Sequence, residues 1–351
     1  MKYQAYFEFI KYAFGYQTDV PVSSHGIDWS EFLAFCERQS LQGLVFHGIE
    51  QANITFPQDT LFDWIGCVEQ IKALNWLTDK RSIKMRHFWG KRGYRSCILK
   101  GQANARMYPC PELRTPGDVD IWVEGNDVEI TKVVLDEEPD ARYSFHHVKM
   151  PVFDDVSVEV HYRPAYMSNW WKDRKLQNLT NSIAKRQFDN SIIAGNDGFV
   201  GLTDDFNALF MMIHMFGHCF TSRNNLKQLI DYYYLLKRGL KDEEKAWVAS
   251  QFKALGVEKY ARGIMWMEQE VLGLDEQYLI MQPDEKIGRL LLRYVLKYGY
   301  KSKQSKAGLL VHRITDNLPL MCHFPSAVLF NPLYLAWHQW WKWNMKRKLI
   351  S

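Results

Sequence analysis

The sequence predicts an α+β protein in which a small mixed sheet is carried between two helical modules. Two observations lead there. Apolar residues recur at three-to-four spacing toward both ends of the chain, and short period-two runs crowd into about seventy residues between them. Composition agrees: of 351 residues, 47% are hydrophobic and 24% charged, which excludes a disordered chain and allows two or three domains. The net charge of +4, from 44 basic and 40 acidic residues, gives no strong nucleic-acid signal.

Residues 1–93 read as an N-terminal helical module. "DWSEFLAFCERQS" offers Asp28 or Ser30 as a cap ahead of Phe32, Leu33 and Phe35. Residues 60–88 keep Phe62, Ile65, Val68, Ile71, Leu74 and Leu77 at helical spacing, and Gly93 marks a stop. The segment 94–164 is an α/β core. "SCILK" is a strand, Gly101 opens a short helix to about Tyr108, "PCPELRTPG" is a loop, "DVDIWVE" a strand and "NDVEITKVVLDEE" a helix. "YSFHHVKM" and "VSVEVHYRP" alternate as strands do, with "PVFDD" between them as a turn or short strand. From 165 to 351 helix returns, in "DDFNALFMMIHMFGHCF", "LKQLIDYYYLLKRG", "DEEKAWVASQFKALG", "PDEKIGRLLLRYVLKYG" and "NPLYLAWHQWWKWNMKRKL".

The chemistry lies where the second strand departs from strand composition. Strands disfavour Asp, yet "GDVDIWV" carries Asp118 and Asp120 two apart, on one face and roughly 6–7 Å from each other. Val119, Ile121 and Val123 fill the opposite face. Carboxylates this close stay ionised together most readily around a cation, and hard oxygen ligands suit Mg²⁺ shared with a nucleotide phosphate. Glu159 in "VSVEVHY" completes an acidic triad if its strand pairs beside the first, and such a triad can hold two metal ions. Upstream, Lys100 supplies a point charge and Gly101 lets phosphate approach backbone N–H groups. Arg114 offers a planar phosphate-binding fork. His161 shares a strand face with Glu159, where it can orient a carboxylate or touch phosphate. An acidic pair on a strand also serves to block edge-to-edge pairing, but the elements before and after this one favour metal.

The set "ILKG … YP … R…GDVDIWV … VEVHYRP" resembles the nucleotidyltransferase superfamily of the DNA polymerase β type. More closely, it resembles a bacterial group of uncharacterised nucleotidyltransferases whose core reads LKG, YP, R-x-x-GD-hydrophobic-D and E-x-H. The match covers 97–125 and 156–164, with weaker support to about 238. The resemblance implies a minimal nucleotidyltransferase core and transfer of a nucleoside monophosphate from a nucleoside triphosphate, releasing pyrophosphate. It assigns two Mg²⁺ ions, with Mn²⁺ as the alternative, to Asp118, Asp120 and Glu159, and gives Glu159 a second role as base for the acceptor hydroxyl. Lys100, Gly101, Arg114 and Gly117 fall to the triphosphate. His214, His218 and Asp231 fall to the nucleotide or acceptor pocket, and His161 keeps the carboxylate- or phosphate-touching role of its strand face. The acceptor is left open among a small molecule, a sugar, a protein and tRNA, receiving the nucleotide on a hydroxyl or phosphate. The sequence departs from the superfamily at its usual Gly-Ser, which is Lys100-Gly101 here, and sixteen residues separate Gly101 from Asp118.

His214 and His218 stand one helical turn apart, a spacing that chelates zinc or simply packs. Six scattered cysteines without CxxC pairs argue against a zinc site and a disulfide framework. Glu8 and Lys11 interrupt the aromatic N-terminus, unlike a signal peptide, so a cytoplasmic location is expected. Residues 317–341 lack Asp, Glu, Lys and Arg, but Pro319, Pro325 and Pro332 divide them, which predicts a buried helical hairpin rather than a membrane span. The end "WHQWWKWNMKRK" reads as an aromatic core stripe with a solvated tail, base stacking or membrane contact being the other uses of that composition. Two rival readings follow: a catalytically inactive binding protein with the same fold, and a helical scaffold or peripheral membrane protein.

Overall fold

Four helices begin the chain: α1 (Lys2–Ala13), α2 (Trp29–Gln39), α3 (Gln42–Ala52) and α4 (Gln58–Lys91). They belong to a computed structural model that describes residues 2–350 apart from 16–18, 53, 55–56, 194–199, 222–223 and 299–316. Asp28 caps α2, its carboxylate accepting from the N–H groups of Ser30 and Glu31. In α3, Gly43 lies so near the Leu113 carbonyl that a Cβ would collide with it. That approach holds the proline-rich loop against the front helices. Helix α4 serves both halves of the interior: Trp64 and Val68 enter one apolar cluster, Met85 and Trp89 another.

The sheet has five strands, β1 (Ser96–Ile98), β2 (Val119–Val123), β3 (Arg142–Tyr143), β4 (His147–Met150) and β5 (Val158–His161), in the order β1-β2-β5-β4-β3. β2 and β5 run parallel and the other pairs antiparallel. Helices α5 (Gln102–Ala105) and α6 (Asp127–Glu137) lie in its connections. The predicted helix to Tyr108 is only one turn long, because Pro109 and Pro111 disfavour helix ahead of them. The predicted strand "YSFHHVKM" is split by a turn that Ser144 closes, its N–H donating to the His147 carbonyl at 2.8 Å. Val119, Ile121, Val123, Val158 and Val160 pack with Ile130 and Val134 of α6. Trp122 turns the other way, onto Phe188 and Phe206, with ring centroids 4.6 and 6.1 Å away.

Further helices among the described residues are α7 (Trp170–Ile193), α8 (Asp204–Thr221), α9 (Leu226–Lys237), α10 (Asp242–Leu255), α11 (Glu258–Trp266), α12 (Glu285–Tyr298) and α13 (Pro325–Ile350). The predicted Gly299 end of α12 lies outside the described residues. Front and rear helices share one apolar cluster, from Tyr6 to Ala327. Among the described residues, 317–321 are helical, a turn follows, and α13 continues unbroken through Pro332 with only Ala327, Tyr334 and Met345 buried, so the predicted hairpin is a largely exposed helix from Pro325 onward. Pro332 forfeits one ladder hydrogen bond, and docking on either side offsets this. Phe324 and Ala327 enter the main cluster, while Tyr334, Trp337 and Trp341 lie 6.5, 4.9 and 5.7 Å from Phe145. Trp340 and Trp343 face solvent, so the aromatic stripe is half packing and half surface. Among the described residues no helix is long and apolar enough to cross a membrane.

One buried acid has a stability consequence. Glu268, on the π-helical turn Met267–Val271, is fully buried, and neither carboxylate oxygen has a hydrogen-bond partner among the described residues. Burial raises its pKa well above the ordinary 4.5. A raised folded-state pKa means that its contribution is complete below the unfolded value and is lost as pH climbs through the folded one. Stability should therefore fall from pH 5 toward pH 8. Glu268→Gln should flatten that slope and raise stability at pH 8 by about 1–3 kcal/mol. Urea unfolding at both pH values tests this, and identical pH slopes for variant and native protein would refute it.

Candidate active site

Parallel pairing of β2 with β5 sets Asp120 opposite Glu159 and Trp122 opposite His161. Asp120 is 1% exposed, whereas Asp118, one step ahead of the ladder, is 37% exposed. The two carboxylates hold a cation between them. Lys100 Nζ, just beyond β1, lies 3.1 Å from Asp120 Oδ2 and 3.8 Å from Asp118 Oδ1. Burial alone would lower the Lys100 pKa, but Asp120 and Asp118 outweigh it and the pKa is raised. A pair of hard carboxylates that already binds a positive group fits Mg²⁺. Gly101 follows at φ 60, with its Cβ position 3.4 Å from the Asp118 carbonyl. Gly117 borders open space. Glu159 receives Lys149 Nζ at 3.0 Å and faces His147 Nδ1 at 3.5 Å.

Arg114 and Asp231 meet each other. Arg114 Nε and Nη2 donate to the two Asp231 oxygens at 2.6 and 2.7 Å, and the Tyr108 hydroxyl adds a third donor at 2.6 Å. Burial opposes the Arg114 charge, but Asp231 outweighs it and holds the pKa raised. The fork that the sequence offers to phosphate is thus largely turned inward onto the carboxylate. From α4, Asn75 Nδ2 fixes the loop by donating to the Glu112 and Arg114 carbonyls at 2.7 Å each. His214 and His218 pack against each other on α8, ring centroids 4.2 Å apart and tilted by 42°. Burial, then Lys100, pushes His214 well below the ordinary imidazole pKa.

Two cavities meet here. The larger, about 440 Å³, is bordered by the three acids and His161 and reaches Tyr166, Phe216 and Phe324. The smaller, about 280 Å³, is lined by Gly101, Arg114, Gly117, Lys227 and Asp231. Both touch Lys100, Asp118, Phe210, His214 and His218. All eleven site residues named from the sequence line one cavity or the other.

Sequence reasoning missed four residues. His146 and His147 come from the turn into β4, and His147 pairs across the ladder with His161. Burial, then His161, lowers His147 to about 2, and burial, then His147, holds His146 well below its ordinary value. Tyr166 lies over His146 with ring centroids 4.4 Å apart and stacks on Tyr334 of α13 at 4.9 Å. Lys227, at the start of α9, donates to the Thr115 carbonyl at 3.3 Å, and burial, then Arg114, lowers its pKa to about 8. The consecutive histidines were the one local signal available.

The class that this α+β fold and its acid cluster define is a nucleotidyltransferase. Residues 25–273, more than two thirds of the chain, match the family described as uncharacterised nucleotidyltransferases, and the chain belongs to that family. No curated protein and no solved structure matches it.

Proposed function

We propose that the protein moves a nucleoside monophosphate from a nucleoside triphosphate to a hydroxyl or phosphate of an acceptor, with Mg²⁺ held by Asp118, Asp120 and Glu159. The observation that carries this is the meeting of two cavities at Lys100 and Asp118, beside the opposed pair Asp120 and Glu159. A two-substrate transfer needs two compartments sharing the reacting centre. The smaller, with Lys227, Gly101 and Arg114 on its wall, suits the triphosphate. The larger, with its aromatic wall, suits the acceptor.

In the reaction the acceptor oxygen bonds to the α-phosphorus, the bond from that phosphorus to the α–β bridging oxygen breaks, and pyrophosphate leaves. Bound Mg²⁺ supplies charge neutralisation on the phosphates and makes the acceptor oxygen more acidic. Glu159 takes the acceptor proton. Lys100 balances the acids before substrate arrives and afterwards turns its charge toward the leaving pyrophosphate. Catalysis by these residues is positioning and electrostatics.

Calorimetric titration with each nucleoside triphosphate in Mg²⁺ tests the reading. The native chain should bind at least one, and D118A/D120A should bind it at least about tenfold more weakly. Equal binding by both would sink it. Labelled triphosphate incubated with host lysate then reads out the acceptor.

A further inference from the structure

Asp120 presents its two oxygens to two different surroundings. Oδ2 faces Lys100 at 3.1 Å, on the side of Asp118. Oδ1 faces His161 Nε2 at 3.0 Å, on the side of Glu159. The second side is built from nitrogen as well as oxygen. Ligand atoms of Asp120, Glu159 and His161 lie within 4.8 Å of one another, as do those of His146, His147 and His161, so His161 belongs to both groups.

The hydrogen roles at His161 make this side cation-seeking. Its Nδ1 is 3.3 Å from the Arg163 carbonyl, which can only accept, and a ring that donates there presents its Nε2 lone pair to a metal. Nε2 is then directed at Asp120 Oδ1 and, at 3.8 Å, at Glu159 Oε2. Ionised carboxylate oxygens carry only lone pairs, so a cation seated among Nε2, Asp120 and Glu159 would be shared by all three. A backbone carbonyl that fixes the tautomer is the usual support of a metal-bound histidine. His147 Nδ1 approaches the same Glu159 Oε2 at 3.5 Å, adding a second imidazole.

We propose that the two cation positions are chemically unequal. Asp118 with Asp120 Oδ2 makes an all-oxygen position for Mg²⁺. Asp120 Oδ1, Glu159, His161 and His147 make a mixed nitrogen–oxygen position for a first-row transition dication, because imidazole favours such ions over Mg²⁺. The inference rests on the nucleotidyl-transfer reading for the first position only; the second stands on its own ligands.

The test is pulsed EPR on the native protein loaded with Mn²⁺, in Mg²⁺ excess of about a hundredfold. The expected result is bound Mn²⁺ with ¹⁴N modulation from imidazole, persisting in the presence of Mg²⁺. H147A and H161A should each weaken Mn²⁺ binding at least about tenfold and reduce the modulation, with thermal unfolding followed by circular dichroism to certify the fold. Mn²⁺ bound without ¹⁴N modulation, or displaced fully by Mg²⁺, overturns the proposal, and this reading of the native protein requires no variant. Nucleoside triphosphate titration of the same sample separates the two ideas. Triphosphate binding with no nitrogen-coupled Mn²⁺ leaves nucleotidyl transfer standing and removes the mixed site. Nitrogen-coupled Mn²⁺ without triphosphate binding does the reverse.

Discussion

Asp120→Asn should transfer nucleotide at least about 10³-fold more slowly than the native chain. Asp120 is the acid that joins Lys100 to His161. It is 1% exposed, pairs with Lys100 through one oxygen and His161 through the other, and sits across the ladder from Glu159. The amide keeps its size but removes the charge, and its NH₂ group turns a donor toward Lys100 or His161. A factor of 10³ corresponds to about 4 kcal/mol of transition-state stabilisation, the scale expected when charge neutralisation at a transferring phosphoryl group is lost. Glu159→Gln should differ in kind. It should slow the transfer step about 10²–10⁴-fold while retaining most triphosphate binding. Labelled-nucleotide transfer into acceptor extract, read beside calorimetric binding, distinguishes the two variants. Native-rate transfer by Asp120→Asn would remove that residue from the chemistry.

Asp231→Ala should destabilise the fold by about 3–5 kcal/mol. The substitution strips the partner from an arginine only 4% exposed and leaves the Tyr108 hydroxyl without its acceptor. The charge left behind, not the lost attraction, sets the cost. The double variant Arg114→Met/Asp231→Leu, which removes both charges and keeps volume, should therefore recover most of the stability. Urea midpoints at constant slope measure this. A double variant as unstable as Asp231→Ala would show that packing, not the unpaired charge, is what the single change damages. Because Arg114 also borders the smaller cavity, triphosphate affinity should stay low in the double variant even where stability returns.

What was legible in the sequence was whatever short-range periodicity encodes. Period two on "GDVDIWV" put Val119, Ile121 and Val123 in the core and the two acids on the other face, and the structure has that arrangement. The pairing that brings Glu159 beside Asp120 was readable only as a condition, since register between strands depends on contacts forty residues apart in the chain. The Arg114–Asp231 pair was beyond reach for the same reason. Each residue was selected for phosphate or pocket chemistry, and nothing local says that the fork closes on a carboxylate 117 positions away. His146 and His147 read as ordinary strand residues because their neighbour His161 arrives only with the β4–β5 ladder. Pro332 misled in the opposite direction. Its local tendency to end a helix is real, but aromatic docking on both sides of it carries α13 through.

The stack of Tyr334 on Tyr166 on His146 ties the last helix to the centre of the sheet, and Pro325, Ser326 and Asn331 border the same cavity as Asp118. The pocket is therefore assembled from residues 100 to 331, spanning most of the chain's length. During synthesis the acids emerge well before the residues that roof them. A ribosome must deliver the final helix before the cavity closes, so a nascent or prematurely terminated chain carries the acids without the complete chamber.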